Sequence, residues 1–185
     1  TKLVDDGFKV ICYDSELYGN YIKKNKKIKF IKDDISNFTN YKFKNIDTIV
    51  HLANIANDVS VEINPSYSWK INVLFSKLII EHAIKCKVKN FIYASSGSVY
   101  GVKKEKKVSE NISLTPISTY NETKMIAERV FLSYQKKIKI FSLRPATVCG
   151  YSPRLRLDVS VNALTYQAYK NGKIIVNGGK QIRPN

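Results

Sequence analysis

Short apolar runs alternating with helically spaced segments constrain this chain more than any other feature. Residues 8–13 read as a strand ending at Asp14, and further strands are predicted over 27–35, 46–53, 88–95, 138–148 and 173–176. These runs favour β-branched and aromatic residues and are bounded by turn formers. Helices fall between them. Asn64-Pro65 supplies an N-cap and a first-turn proline for a helix reaching Lys85. Thr119-x-x-Glu122 is a capping box for the next. Asp158 is expected to cap a third, which stops at Asn171-Gly172. Strand–helix alternation predicts the α/β class: a doubly wound parallel sheet, Rossmann-like, with helices on both faces. The chain opens as the second half of a helix, stopped by Gly7, without the strand and Gly-rich turn that normally begin such a sheet. The expected sheet is therefore incomplete at both ends, a piece of a longer protein.

Composition narrows the function classes. The chain is 44 % hydrophobic and 25 % charged, the balance of a soluble globular protein. It holds no run of about 18 apolar residues, so no membrane span is predicted. The first residues lack the apolar centre of a signal peptide, which points to a cytoplasmic location. Cys12, Cys86 and Cys149 stand far apart, so neither a disulfide framework nor a metal site is expected. The net charge is +16, yet among 31 basic residues only 129, 144, 154, 156 and 183 are Arg. Lysines cluster in short runs such as Lys103-Lys104 and Lys106-Lys107 between apolar segments. We read them as a solvated surface, with attraction of an anionic small molecule as the alternative, and expect no nucleic-acid partner.

Tyr120-x-x-x-Lys124 carries the chemistry. On a helix these positions share a face, so the Lys124 ammonium can sit beside the Tyr120 phenol. A free phenol titrates near pH ~10, while a general base at neutral pH wants a value of about 7. A neighbouring cation lowers it toward that range. The other reading is an exposed helix pair. Ser95 and Ser96 stand at the carboxyl end of a buried strand, where a parallel sheet keeps its ligand crevice. A hydroxyl there can bond a substrate oxygen; otherwise these serines cap the turn. His51 reads as a hydrogen-bonded structural histidine, and His82 as solvent-facing.

With this Ser-rich turn and Tyr-x-x-x-Lys following His51-Leu52-Ala53 and Asp33-Asp34-Ile35, the chain resembles the extended short-chain dehydrogenase/reductases. More narrowly it is similar to the NAD-dependent nucleotide-sugar epimerase/dehydratase group. The resemblance implies residues 1–150 as an NAD-binding Rossmann-like domain and 151–185 as the start of a substrate-binding part. It makes Ser96, Tyr120 and Lys124 catalytic, and Asp14, Asp34, Ile35, Leu52, Ala53, Tyr120 and Lys124 cofactor-binding. Asp14 would accept from the adenosine ribose, favouring NAD over NADP. Ser95, Ser96, Thr147 and Arg183 would bind substrate, and Asn72 would face the site from its helix.

The expected activity is NAD-dependent epimerisation of a nucleotide-activated sugar through a transient keto intermediate. The partners would be the nucleotide sugar and, in the intact protein, a second copy in a homodimer. Alternatives are a dehydratase or reductase of the same family and a non-catalytic NAD-binding protein. The 4,6-dehydratases of this group place Asp-Glu directly after the catalytic Ser/Thr, where this chain has Gly97-Ser98.

Overall fold

The computed structural model describes residues 2–105 and 107–176. They fall in two compact units, Thr1–Arg144 and Pro145–Asn185. The first unit opens with helix α1 (Lys2–Asp5), closed by Gly7 at a φ of 94°. Strands β1 (Val10–Asp14) and β2 (Ile28–Lys32) pair in parallel, Val10 against Ile28 through Asp14 against Lys32. Strands β3 (Thr48–His51), β4 (Asn90–Ala94) and β5 (Lys139–Leu143) form a second parallel sheet in the order β3-β4-β5. The parallel α/β architecture is thus as expected, but its strands fall in two sheets. Among the described residues no ladder joins β1 to β3.

Helix α2 (Asp58–Ile63), which has no clear signal in the sequence, precedes the long helix. That helix begins as α3 (Pro65–Trp69), with the Asn64 side chain accepting from Tyr67 N at 3.0 Å, as the Asn-Pro pair predicts. It widens into a π turn over Lys70–Phe75 and continues as α4 (Ser76–Lys85). The Ser76 hydroxyl donates back to Ile71 O, five residues earlier, and so bridges the widened turn. Helix α5 (Thr119–Leu132) follows β4.

Registry explains the core. Ile49, Phe91 and Ile140 lie side by side across the three strands, as do Val50, Ile92 and Phe141 on the opposite face. The first face meets α4 and α5: Phe91 and Phe131 are fully buried with ring centroids 5.0 Å apart, and Tyr93 lies 4.6 Å from Phe131. Each such aromatic contributes about 1.5–3 kcal/mol by leaving water. The second face is half open, with Val50 44 % and Phe141 41 % exposed. Within this unit the long helices therefore cover one face of the β3-β4-β5 sheet.

Several local expectations need correction. The strand predicted to reach Ile35 stops at Lys32, because Asp34 caps a 3-10 turn over Ile35–Asn40 by accepting from Ser36 N. The cap of α5 is Ser118, whose extended backbone lets its hydroxyl accept from Asn121 N; Thr119 is already helical. His82 is half-buried and bonds the Tyr41 carbonyl at 2.8 Å instead of facing solvent. In the second unit α6 (Ser160–Asn171) ends at Gly172 in the left-handed conformation, as predicted, but its N-cap is Val159. Asp158 pairs with Arg156 instead. Residues 173–176 form no strand: Ile175 N donates to the Gln167 side chain.

His51 is structural, as expected. Its Nε2 lies 2.9 Å from Ser76 Oγ, tying β3 to α4. Burial, with the Lys124 cation in support, pushes its pKa down to about 3 from 6.5. The unfolded chain therefore takes a proton below pH 6.5 that the folded chain refuses until about pH 3. Stability should fall by ~1.4 kcal/mol per pH unit across that window from this group alone. Denaturant titrations between pH 4 and 6.5 should show that slope reduced by about one proton in His51→Gln. An unchanged slope would contradict the assignment.

Candidate functional site

Helix α5 brings Tyr120 and Lys124 to the carboxyl end of β4. Its N-terminus is anchored by Ser118 Oγ donating to Asp58 Oδ1 at 2.5 Å. Lys124 is 5 % exposed, and its Nζ donates to the Ala94 carbonyl at 2.8 Å. The same ammonium lies 5.1 Å from the Tyr93 ring centroid and 5.9 Å from that of Tyr120. It is therefore beside Tyr120, as the i, i+4 spacing predicts, but hung from a strand end. Burial lowers its pKa to about 8. The charge is still carried at neutral pH, in a place where it is expensive to hold.

Ser95 and Ser96 follow β4 directly. Ser96 caps a 3-10 turn over Gly97–Tyr100, accepting from Ser98 N at 3.2 Å, and its Oγ lies 2.7 Å from Ser98 Oγ. Ser95 is 4 % exposed and its hydroxyl has no hydrogen-bond partner.

Asn72, fully buried in the π turn, joins the remaining pieces. Its Oδ1 accepts from Ile55 N at 2.8 Å, and its Nδ2 donates to Ile55 O and to Thr123 Oγ1, each at 3.1 Å. Thr123 in turn donates to the Tyr120 carbonyl at 2.8 Å. One amide thus fixes the loop after β3 against the helix turn that carries Tyr120. Asn72 is an interior bridge rather than a helix-surface amide. Thr123, Asp58 and the Ala94 carbonyl are contributors that sequence reasoning missed. A backbone acceptor has no residue signature, and the roles of Thr123 and Asp58 depend on tertiary partners.

The other candidates are more dispersed. Asp14 ends β1 with an exposed carboxylate, one oxygen of which accepts from Glu16 N at 2.7 Å. Asp34 is occupied as the Ser36 cap, and Ile35 packs in the core at 6 % exposure. Leu52 and Ala53 are exposed just past β3. Both polar atoms of the following Asn54 amide are buried without a partner. Thr147 is exposed in the second unit, and Arg183 lies outside the described residues. Among the described residues no cluster of His, Cys, Asp and Glu is arranged to hold a metal.

A phenol and an ammonium lie beside the carboxyl end of a parallel strand, and a serine hydroxyl begins the turn that follows it, on a Rossmann-like α/β scaffold. The chain belongs to the NAD-dependent epimerase/dehydratase family, whose model it matches over residues 1–184. It is 32 % identical to a putative UDP-glucose 4-epimerase of Methanocaldococcus jannaschii, over 98 % of this chain and 62 % of that protein. It is 29 % identical to the human dTDP-D-glucose 4,6-dehydratase over 70 % of this chain and 38 % of that one. Among solved structures, a UDP-glucuronic acid 4-epimerase of Bacillus cereus, in complex with UDP-glucuronic acid and NAD, superposes with a TM-score of 0.77 at 27 % identity. That match covers 98 % of this chain and 62 % of the other. The chain thus spans less than two thirds of the length of these relatives.

The depressed pKa of Lys124 has a measurable cost. Below pH 8 the folded state carries the full penalty of a buried charge, and the penalty vanishes as pH rises from about 8 to the ordinary lysine value of 10.5. Lys124→Met should therefore raise stability at pH 7 by ~1–3 kcal/mol, at 1.36 kcal/mol per pKa unit less the lost carbonyl bond. Denaturation midpoints at pH 7 and pH 10 should show that gain shrinking in alkali. A variant no more stable than the parent at pH 7 would contradict it.

Proposed function

We propose that the intact protein epimerises a nucleotide-activated sugar, using NAD and a transient keto intermediate. The observation that supports this reading is Lys124, beside the Tyr120 ring, bonded to the Ala94 carbonyl where β4 ends, two residues before Ser96. NAD suits the residues present. Asp14 offers an exposed carboxylate to a ribose diol, and the orphaned Asn54 amide follows the Leu52-Ala53 turn, as expected of a polar group awaiting a ligand. Those residues, with Tyr120 and Lys124, would hold the cofactor. When bound, NAD supplies a reversible acceptor for the carbon-bound hydrogen.

The chain's own residues handle the proton. The Tyr120 phenolate accepts the proton of a sugar hydroxyl as that carbon becomes a carbonyl. Ser96 Oγ donates to the same oxygen. Lys124 favours the phenolate through its charge. After the sugar turns its other face, Tyr120 returns the proton to the oxygen. The product then differs from the substrate only in configuration.

The epimerase reading is favoured over the dehydratase by the turn that follows Ser96. Gly97 and Ser98 carry no carboxylate there, and the Ser98 and Ser96 hydroxyls are hydrogen-bonded to each other. Water elimination would need an acid and a base in that place. The reaction is proposed for the cytoplasm, in keeping with the absence, among the described residues, of a helix long and apolar enough to cross a membrane.

The test is turnover by the full-length protein with UDP-glucose first and other nucleotide sugars after it, following cofactor absorbance and product mass. Two sugars should interconvert without net NADH production or consumption. Steady NADH formation, steady consumption, or a product lighter by one water would instead indicate a dehydrogenase, a reductase or a dehydratase. Tyr120→Phe should slow turnover by about 10²–10⁴-fold with NAD still bound, as loss of a general base does. A rate within about threefold of the parent would remove Tyr120 from the mechanism.

A further inference from the structure

Glu128 lies one helical turn beyond Lys124 and two beyond Tyr120, on the same stripe of α5. It is 2 % exposed, an unusual place for a carboxylate. Its partner is Arg144, the residue directly after β5. Arg144 Nε donates to both carboxylate oxygens at 3.1 Å, and Nη2 donates to Oε1 at 2.5 Å. Nη1 turns the other way, to Tyr100 Oη at 2.9 Å and the Glu110 carbonyl at 3.2 Å. The guanidinium also lies 5.0 Å from the Tyr100 ring centroid. Burial would push the Glu128 carboxyl up. Arg144 outweighs that and holds it below its ordinary value.

Tyr100 gives the contact its meaning, because it ends the 3-10 turn that Ser96 begins. Beyond it, the Tyr100 carbonyl accepts from Thr115 Oγ1 at 2.8 Å. Gly101 follows at a φ of +66°, and a Cβ there would lie 2.0 Å from the Thr115 carbonyl oxygen. The two strands of chain therefore touch backbone to backbone. One planar guanidinium thus meets the catalytic helix, the end of β5 and the Ser96 turn together.

We propose that Glu128 and Arg144 are positioning residues whose buried, forked ion pair sets the Ser96 turn at its working distance from Tyr120 and Lys124. The proposal rests on the reading of those three as the proton-handling site. A buried ion pair is a poor choice for stability, since apolar side chains of similar volume commonly do as well or better. Its advantage is direction. The guanidinium donors lie in one fixed plane, so seating two on Glu128 dictates where the remaining nitrogen meets Tyr100. Arg144→Lys keeps the charge and loses the fork. Arg144 reaches the Ser96 turn through Tyr100, and Glu128 belongs to the helix that carries Tyr120 and Lys124.

The test uses the full-length protein with Arg144→Lys and the apolar pair Glu128→Leu/Arg144→Met. Both should lower kcat by about 10–100-fold with KM changed less than about threefold, as misplacement of a reacting group does. The apolar pair should do so while melting within roughly 3 °C of the parent, separating placement from stability. Amide exchange supplies a readout that needs no turnover. In Arg144→Lys the segment 96–101 should exchange about tenfold faster while residues 119–132 keep their protection. If the parent turns over no nucleotide sugar, the functional reading fails and exchange alone decides the clamp. Parental kcat in the apolar pair, or parental exchange over 96–101 in Arg144→Lys, would overturn the proposal.

Discussion

The bond from Lys124 Nζ to the Ala94 carbonyl is the constraint on which the site depends. It places a positive charge in the interior, at the point where β4 stops and the Ser96 turn begins. Everything nearby answers that charge. The Tyr93 and Tyr120 rings present their faces to it. His51 stays neutral partly because of it. The helix that carries it is fixed by Ser118 at its start, Thr123 in its second turn and Glu128 further along.

Seen this way, the layer between sheet and helices is two things at once. Phe91, Tyr93 and Phe131 supply the apolar burial that holds it shut. His51–Ser76, Asn72–Thr123 and Glu128–Arg144 cross the same layer as polar links, each joining different segments. Apolar contacts tolerate sliding, whereas hydrogen bonds to buried groups do not, because a missed bond leaves a desolvated atom without a partner. The polar links therefore specify a geometry that the aromatics only make compact.

Much of this was legible in the sequence where local chemistry decides. Asn64-Pro65 starts a helix because a side-chain acceptor and a fixed φ act within one turn, and Gly172 ends one for a similarly local reason. Tyr120 and Lys124 share a face because helical geometry allows nothing else. What was not legible depends on distant partners. Thr119 and Ser118 are equivalent as letters; the backbone conformation at Ser118 chooses the cap. Glu128 looks like any charged helix residue until Arg144 arrives from β5. Val50 belongs to an apolar strand, but its exposure depends on what packs over the sheet. Residues 173–176 have strand composition and no ladder partner, so composition alone misled.

The open face of the β3-β4-β5 sheet has a colloidal consequence. Val50, Phe141 and Leu143 present half-exposed apolar surface, the kind through which chains adhere to one another. A net charge of +16 opposes that adhesion by long-range repulsion between molecules. The repulsion reaches only about one Debye length, ~30 Å at 0.01 M salt but ~8 Å at 0.15 M. The lysine-rich surface thus acts as a dispersant whose strength is set by the buffer: its repulsion reaches furthest in dilute salt and shortens as ionic strength rises.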